Sequence, residues 1–462
     1  MENSPAPSSR AQSARSPGRM ARLRPTARNL ALKALLLLDT GLTVQQALAR
    51  VLAAPQPGSP KDAGPQDLPP AERNLCSELA YGCLRHEIRI AFVLEQVLSR
   101  PRSLPRPMFL VLSLAVYGLL FQEKVPDHAC VHQAVESVRT LYGTALSRVA
   151  NACLRTVQRR RNEFSTYCFY KEKQNPVRAD SLFFSLPEWI VRLWNTAYGT
   201  DAARLLLQRS LQRPWSALRI NTARREARTL HAHFLAQGEP VGPWGVAFAP
   251  GSLPSHILQR DLRQWEESGD VSFQAAGSQT ILDQLGLNRW QGPIWDACAG
   301  FGGKTAALLE WGQNVRLATD ASLSRLRALP GQCRRLGLPA PAVALADARR
   351  PPLRHWEGNI LLDVPCSGLG VLARRPDLRR RSHEAAVELV RLQAAMLARA
   401  ARLLQPGFCL AYITCTLNPA ENEKNIEAAL LTDTGLRLEQ QWQTDHAHPW
   451  LEGMYGAVLR RV

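Results

Sequence analysis

The chain has 462 residues, 45% of them hydrophobic, enough for about three domains with cores of their own, which excludes a disordered protein. Its 57 Lys plus Arg against 39 Asp plus Glu leave a formal charge of +18, which favours a polyanionic partner: RNA, DNA or an anionic membrane. The ten cysteines include no CxxC pair, so zinc-ligand spacing is excluded, and the chain is too long for a small disulfide scaffold; reduced thiols in the cytoplasm are the expectation.

The first 28 residues hold six Arg and one Glu among many Ser, Pro and Ala. Residues 1–24 read as a disordered basic tail, a composition shared with organelle transit peptides. "LALKALLLLD" from Leu30 is interrupted by Lys33 and has no small-residue cleavage site after it, so it is not read as a signal core. The longest apolar run, "MFLVLSLAVYGLLF" from Met108, is 14 residues, too short to span a bilayer and suited to a buried helix.

From Asn29 to about Arg161, apolar residues recur at helical spacing. "APQPGSPKDAGPQDLPP" (Ala54 to Pro70) marks a long loop within this region. The block ends on Arg155, Arg159, Arg160 and Arg161, a positive helix end that serves either as a solvated face or as a phosphate contact.

From Ser185 to about Gln291 helix and strand mix. "SLPEWIVRLW" predicts a helix entered at a Pro and "SALRIN" a short strand. Beyond Pro293 strands and helices alternate. "IWDACAG" reads as a strand into a glycine loop, and "GKTAALLEWG" as a helix ended by Gly312. "VRLATD" is a strand, followed by a helix through Leu336. "AVALADA" and "NILLDVP" are further strands. A long helix from about Ser382 to Leu404 precedes the strand "FCLAYITCT", and "NPAENEKNIEAALL" is a helix with Pro near its start. The pattern predicts a doubly wound parallel sheet, whose ligand sits at the carboxyl ends of the strands. Asp296, Asp320, Asp347, Asp363, Cys366 and Cys415 all fall there.

"CAGFGGKT" (Cys298 to Thr305) nearly matches the phosphate loop GxxxxGK[ST], and "ILLD" would then supply a magnesium-binding Asp. Against a triphosphatase, the first required glycine is Cys298. Asp320 also ends the next strand, 20 residues after Gly300, the spacing at which an acid reaches the ribose of a nucleoside cofactor. The set suits an adenosine cofactor without a triphosphate.

The thiols suggest the reaction. A free thiol has a pKa near ~8.5, yet its thiolate is strongly nucleophilic. Carbon 5 of a pyrimidine is a poor nucleophile until a thiolate adds at carbon 6 and makes the ring an enamine. An acid beside ring nitrogen 3 would stabilise that adduct, and a base must then remove the carbon 5 proton so that the thiol can leave. Cys366, after Asp363, and Cys415, in "YITCTLNPAENE", are the two candidate thiols.

"DACAGFGGKT", "DVPCSGLG", "RRPDLR" and "YITCTLNPAENE", in this order, resemble the RNA 5-methylcytosine methyltransferases of the NOL/NOP/Sun group. Upstream, "AERNLCSELAYGCLRH", "VPDHACVHQAVESVR" and "VANACLRTVQR" resemble that group's NusB-like RNA-binding domain, and "ALRINT" and "GDVSFQAAGSQ" its middle segment. The combination points to the Sun/Fmu/RsmB branch, which methylates a cytosine of 16S ribosomal RNA with S-adenosylmethionine. The resemblance implies a nucleophile at Cys415, product release assisted by Cys366, and Asp363 beside both cytosine and cofactor. It implies a cofactor loop of Cys298, Ala299, Gly300, Phe301, Gly302, Gly303 and Lys304, ribose at Asp320 and adenine near Asp347. Departures from the pattern are Gly300-Phe301 for the usual Ala-Pro, Gln274-Ala275 for Gln-Asp, Thr414-Cys415-Thr416 for TCS, and Glu452-Gly453-Met454-Tyr455 for DGFF. Phe301 puts a bulky ring where the backbone meets the cofactor.

Arg374, Arg375, Arg379, Arg380 and Arg381 follow the Cys366 turn and are expected, with Arg155, Arg159 and Arg160, to contact RNA phosphates. The target base must be unpaired or flipped out, because carbons 5 and 6 must both be reached. The expected organisation is a tail (1–24), an all-α NusB-like domain (25–165), a small α+β middle domain (166–285) and an α/β Rossmann-like methyltransferase domain (286–462). A cytoplasmic monomer acting on 16S ribosomal RNA, with no membrane partner and no metal, is expected. The alternative is a non-enzymatic RNA-binding assembly factor with an altered cofactor loop.

Overall fold

The computed structural model describes residue 20 and residues 22–53, 68–123 and 125–462. Most of the basic tail (1–24) and most of the Pro/Gly-rich loop expected at 54–70 lie outside the described residues. Among the described residues no helix is long and apolar enough to cross a membrane. The chain divides into two compact units, Met1–Arg192 and Leu193–Val462.

The first unit is helical. Its main helices are Ala27–Leu38, Val44–Ala53, Pro70–Arg85, Glu87–Val97, Arg106–Phe121, Asp127–Tyr142 and Thr144–Arg159, followed by three short helices to Phe183. The apolar run from Met108 becomes the central helix, buried without a break from Leu110 to Leu120. Its neighbour Pro70–Arg85 approaches so closely that a Cβ on Gly82 would fall 2.0 Å from the Tyr117 ring. The last long helix buries Ser147, Ala150, Leu154 and Val157, a spacing of three and four that gives one apolar stripe and leaves its arginines outside.

The second unit holds two sheets. The small one is antiparallel: β1 (Ser216–Ile220), β2 (Glu239–Val241), β3 (Gly245–Phe248) and β6 (Val271–Phe273, following the β4 His256–Ile257 and β5 Arg260–Asp261 ribbon), in the order β2-β3-β1-β6. The large one has seven strands: β7 (Ile294–Asp296), β8 (Val315–Asp320), β9 (Ala342–Leu345), β10 (Asn359–Asp363), β11 (Cys409–Thr414), β12 (Leu436–Gln443) and β13 (Tyr455–Arg461), in the order β12-β13-β11-β10-β7-β8-β9. The chain runs outward from β7 to β9, then returns to lay β10 on the other side of β7. Strands β7 to β11 are parallel, as the sequence predicts, and β13 runs antiparallel to both β11 and β12. The sheet is therefore mixed, and β12 and β13 were not foreseen. In "LRLEQQWQ" one half is polar edge, which hides the strand signal.

Alternation along β10 shows why the sheet sandwiches between helices. Leu361 faces the layer that includes Ala307 and Leu329, while Ile360 and Leu362 face Met396 and Leu397. The long helix is His383–Leu403, with the Ser382 hydroxyl accepting from Ala385 N at its cap. The last helix starts at Glu423, not at the Pro: Pro419 to Asn422 form a turn in which Glu421 N bonds Asn418 O.

Candidate active site

The glycine loop leaves the carboxyl end of β7 and is tied at both ends. Asp296 is 1% exposed and accepts from Thr305 Oγ1 at 2.6 Å and from Cys298 N at 3.3 Å. Burial pushes its carboxyl up to about 7, against the Thr305 bond and with help from the Asp363 charge. Ala299 N bonds Thr319 O, and Gly300 N bonds Asp320 Oδ2 at 2.9 Å. Gly302 has φ +85°, and a Cβ there would fall 2.3 Å from Leu329 Cδ1, so only glycine opens the helix at this point. Cys298 is half-buried; burial and the surrounding carboxylates push its thiol well above the usual range, so it remains a neutral thiol. Phe301 is 60% exposed; its ring turns outward from the loop.

Asp320 ends β8 nearly buried and accepts from Gly300 N, Ser322 N and Arg325, the last at 3.1 Å. Ala346 N bonds Asp320 O, which sets Asp347 one residue beyond. Asp347 pairs with Arg349 at 2.6 Å, and that hydrogen bond holds its carboxyl below the ordinary carboxylate range. Three acids thus stand at the ends of β7, β8 and β9 around the glycine loop. An acid at each strand end supplies the acceptors that the hydroxyls and amino groups of an adenosyl group with an amino-acid tail require.

Across the switch between β7 and β10, Lys304 Nζ lies 2.6 Å from Asp363 Oδ2. Burial works against the Lys304 ammonium, but Asp363 outweighs it and holds the lysine above its usual pKa. A phosphate loop would aim this lysine at phosphates; here it belongs to the carboxylate at the end of "NILLD".

Parallel pairing of β10 and β11 delivers the two thiols together. Cys366 Sγ and Cys415 Sγ are 3.0 Å apart, and Cys415 N donates to Cys366 Sγ at 3.3 Å. The Cys366 contact and the Lys304 charge pull the Cys415 thiol down, against burial; Cys366, facing a developing thiolate while buried, is pushed well up. The two shifts run in opposite directions, so Cys415 loses its proton more readily than Cys366. None of the ten cysteines is joined in a disulfide.

The arginines after the turn have partners within the protein. Arg379 is 3% exposed and donates to Ser210 O. Arg374 pairs with Glu452 at 2.7 Å and donates to Trp215 O, Arg375 pairs with Asp377, and Arg381 donates to the Cys366 carbonyl at 2.6 Å. These side chains shape the site's walls; Arg380 alone of the five is exposed. In the first unit, Arg155 and Arg159 are exposed, and Arg160 pairs with Glu163 at 2.7 Å.

Sequence reading missed the clamp behind the loop. Arg219 of β1 and Glu310 form a buried pair at 2.6 Å, and Arg219 also donates to Gln274 Oε1 and Gly303 O. Gln274, named only beside the departure at Ala275, bonds Gly303 O itself. An Arg and a Glu 91 residues apart leave no sequence signal of pairing.

Residues 286–451 match the family model described as 16S rRNA methyltransferase RsmB/F, and residues 25–159 match the NusB family. A probable ribosomal RNA small subunit methyltransferase B from Synechocystis is 33% identical over 375 residues, covering 79% of this chain and 82% of that protein. This chain belongs to the RsmB/F family of 16S rRNA methyltransferases. The Salmonella typhi ribosomal RNA small subunit methyltransferase B is 31% identical, covering 79% of this chain and 85% of its own length. Among solved structures, that of PH0851 superposes with a TM-score of 0.71 at 20% identity, covering 95% of this chain and 99% of that one. NSun6 from Pyrococcus horikoshii, solved with SFG, gives 0.50 at 21% identity over 60% of this chain and 98% of that one. The family accounts for both the helical first unit and the methyltransferase sheet, and it leaves the triphosphatase reading without support.

Proposed function

We propose that the protein is an S-adenosylmethionine-dependent RNA methyltransferase that modifies carbon 5 of a cytosine in 16S ribosomal RNA. The observation that carries this reading is the 3.0 Å contact between Cys366 and Cys415 beside the Lys304–Asp363 pair. Bound S-adenosylmethionine supplies an electrophilic methyl group. The Cys298–Lys304 loop would hold its methionine end, Asp320 its ribose and Asp347 its adenine side.

Cys415 Sγ forms a bond to carbon 6, and the ring's double-bond electrons move to carbon 5, which becomes the nucleophile. As negative charge builds at ring nitrogen 3, Asp363 passes it a proton and regains one from the Lys304 ammonium beside it. After transfer a water held beside Cys366 takes the carbon 5 proton and passes it to solvent. Its loss re-forms the double bond and expels Cys415. The Cys415 contact and burial keep Cys366 a neutral thiol, which suits it to donate a hydrogen bond to the departing Cys415 thiolate, and the lowered pKa of Cys415 suits the attack.

The division proposed is a basic tail at 1–24, a NusB-like domain at 25–165, a middle domain at 166–285 and a methyltransferase domain at 286–462, acting as a cytoplasmic monomer. The charge of +18 fits an RNA substrate, with Arg155, Arg159 and Arg380 as the exposed phosphate contacts. The test is digestion of small-subunit ribosomal RNA after incubation with labelled S-adenosylmethionine. Label in 5-methylcytidine supports the reading. Retention of RNA by a folded protein that binds no S-adenosylmethionine supports an assembly factor instead.

A further inference from the structure

Behind the two thiols lies a buried carboxylate that the reaction scheme leaves without a role. Glu421 is 0% exposed and accepts four hydrogen bonds. Its Oε2 takes Ser367 N at 2.8 Å and Gln393 Nε2 at 2.9 Å; its Oε1 takes Asn418 Nδ2 at 2.9 Å and the Ser367 hydroxyl. Ser367 directly follows Cys366. Its hydroxyl also contacts Thr416 Oγ1 at 2.6 Å, and Thr416 directly follows Cys415. Gln393 donates in turn to the Pro365 carbonyl, on the other side of Cys366. The Glu421 backbone is held as well, because the Tyr412 hydroxyl donates to its carbonyl and accepts from Asn425.

A buried carboxylate with only donors around it is well satisfied, and isolated charge burial without such partners is costly. A Glu in a surface-facing helical first turn would have been unremarked. Here the turn at Pro419–Asn422 delays the helix and aims the side chain inward between β10 and β11. Each of the two loops that present a thiol is therefore fastened, one residue past the sulfur, to the same group.

We propose that Glu421 is a positioning residue that sets the juxtaposition of Cys366 and Cys415, acting through Ser367 and Thr416. The role rests on the two-thiol reading above, but the juxtaposition can be measured without the reaction. Diamide closes neighbouring thiols: an S–S bond forms as two electrons and two protons pass to the diazene, which becomes a hydrazine. The rate of Cys366–Cys415 closure, followed by mass spectrometry of the linked peptides, reports how the sulfurs are held.

Glu421→Ala should slow that closure and lower kcat at least about tenfold, since a misplacement of about 1 Å costs on this scale, while KM for S-adenosylmethionine stays within about twofold. Glu421→Gln should fall between, because one oxygen remains and the Ser367 hydroxyl can accept the new amide N–H while turning its own proton to Thr416 Oγ1. If Glu421→Ala loses cofactor binding through misfolding, Ser367→Ala removes only the hydroxyl link and should show the same slowing. Closure at the wild-type rate in both variants overturns the proposal, whatever happens to kcat. Should wild type make no 5-methylcytidine while closure still depends on Glu421, the functional reading fails and the positioning role stands.

Discussion

Cys366 Sγ sits 3.0 Å from Cys415 Sγ and shifts the two thiols in opposite directions. A pair of equal buried thiols would both stay protonated at neutral pH. The contact lowers the pKa of Cys415 and raises that of Cys366.

It follows that Cys415 should react with iodoacetamide with an apparent pKa below the ordinary 9.0. In Cys366→Ala that midpoint should rise, because burial and the Asp363 charge, which both oppose the thiolate, remain while the sulfur contact is gone. Alkylation rates between pH 6 and 10, read by peptide mass, check this.

Asp296 predicts a pH effect on stability. Its carboxyl is pushed from 3.8 to about 7 in the fold, so the folded state holds a proton that the unfolded chain has released. This contribution is full below the unfolded pKa and is lost as pH rises from about 4 through about 7. Relative to Asp296→Asn, wild type should therefore lose stability between pH 4 and pH 8. Thermal midpoints of both proteins across that range give the difference.

Arg219→Met strands the Glu310 carboxylate in the interior and should destabilise the second unit by about 3–5 kcal/mol. The double variant Arg219→Met/Glu310→Leu should recover much of this, because no charge is left unpaired. Urea unfolding of the three proteins decides it. An unchanged midpoint in Arg219→Met would mean that the pair does not clamp the loop helix to β1.

The arginines separate into two classes with different readouts. Arg155→Ala and Arg159→Ala should weaken RNA binding and reduce its dependence on salt by about 0.7–0.9 per lost phosphate contact. Arg379→Ala should lower the unfolding midpoint, because its guanidinium is buried against the Ser210 carbonyl. Filter binding at several salt concentrations, beside thermal melts, distinguishes the two.

The parallel half of the sheet was legible because each of its strands is a short apolar run ending in an acid or a thiol, and crossover helices force such strands parallel. "NILLD" and "FCLAYITC" stand side by side for that reason, and their ends meet as expected. The reversed strand β13 was not legible, because "YGAVLRR" carries no mark of direction. The internal partners of the arginine cluster at 374–381 were not legible, since five cations in a row read the same whether they face solvent or reach back to Glu452, Asp377 and backbone carbonyls. Phe301 reads as an obstacle in the sequence, yet its ring is turned out. Glu421 was hidden in "NPAENE", where a helix pattern masks a side chain that points inward.

The most direct test is to incubate unmodified small-subunit ribosomal RNA and S-adenosylmethionine with wild type, Cys415→Ala and Cys366→Ala, then resolve the products on denaturing gels. The account predicts turnover only in wild type, a protein–RNA adduct that survives denaturation in Cys366→Ala, and neither adduct nor methylation in Cys415→Ala. Methylation by Cys415→Ala at the wild-type rate would contradict it.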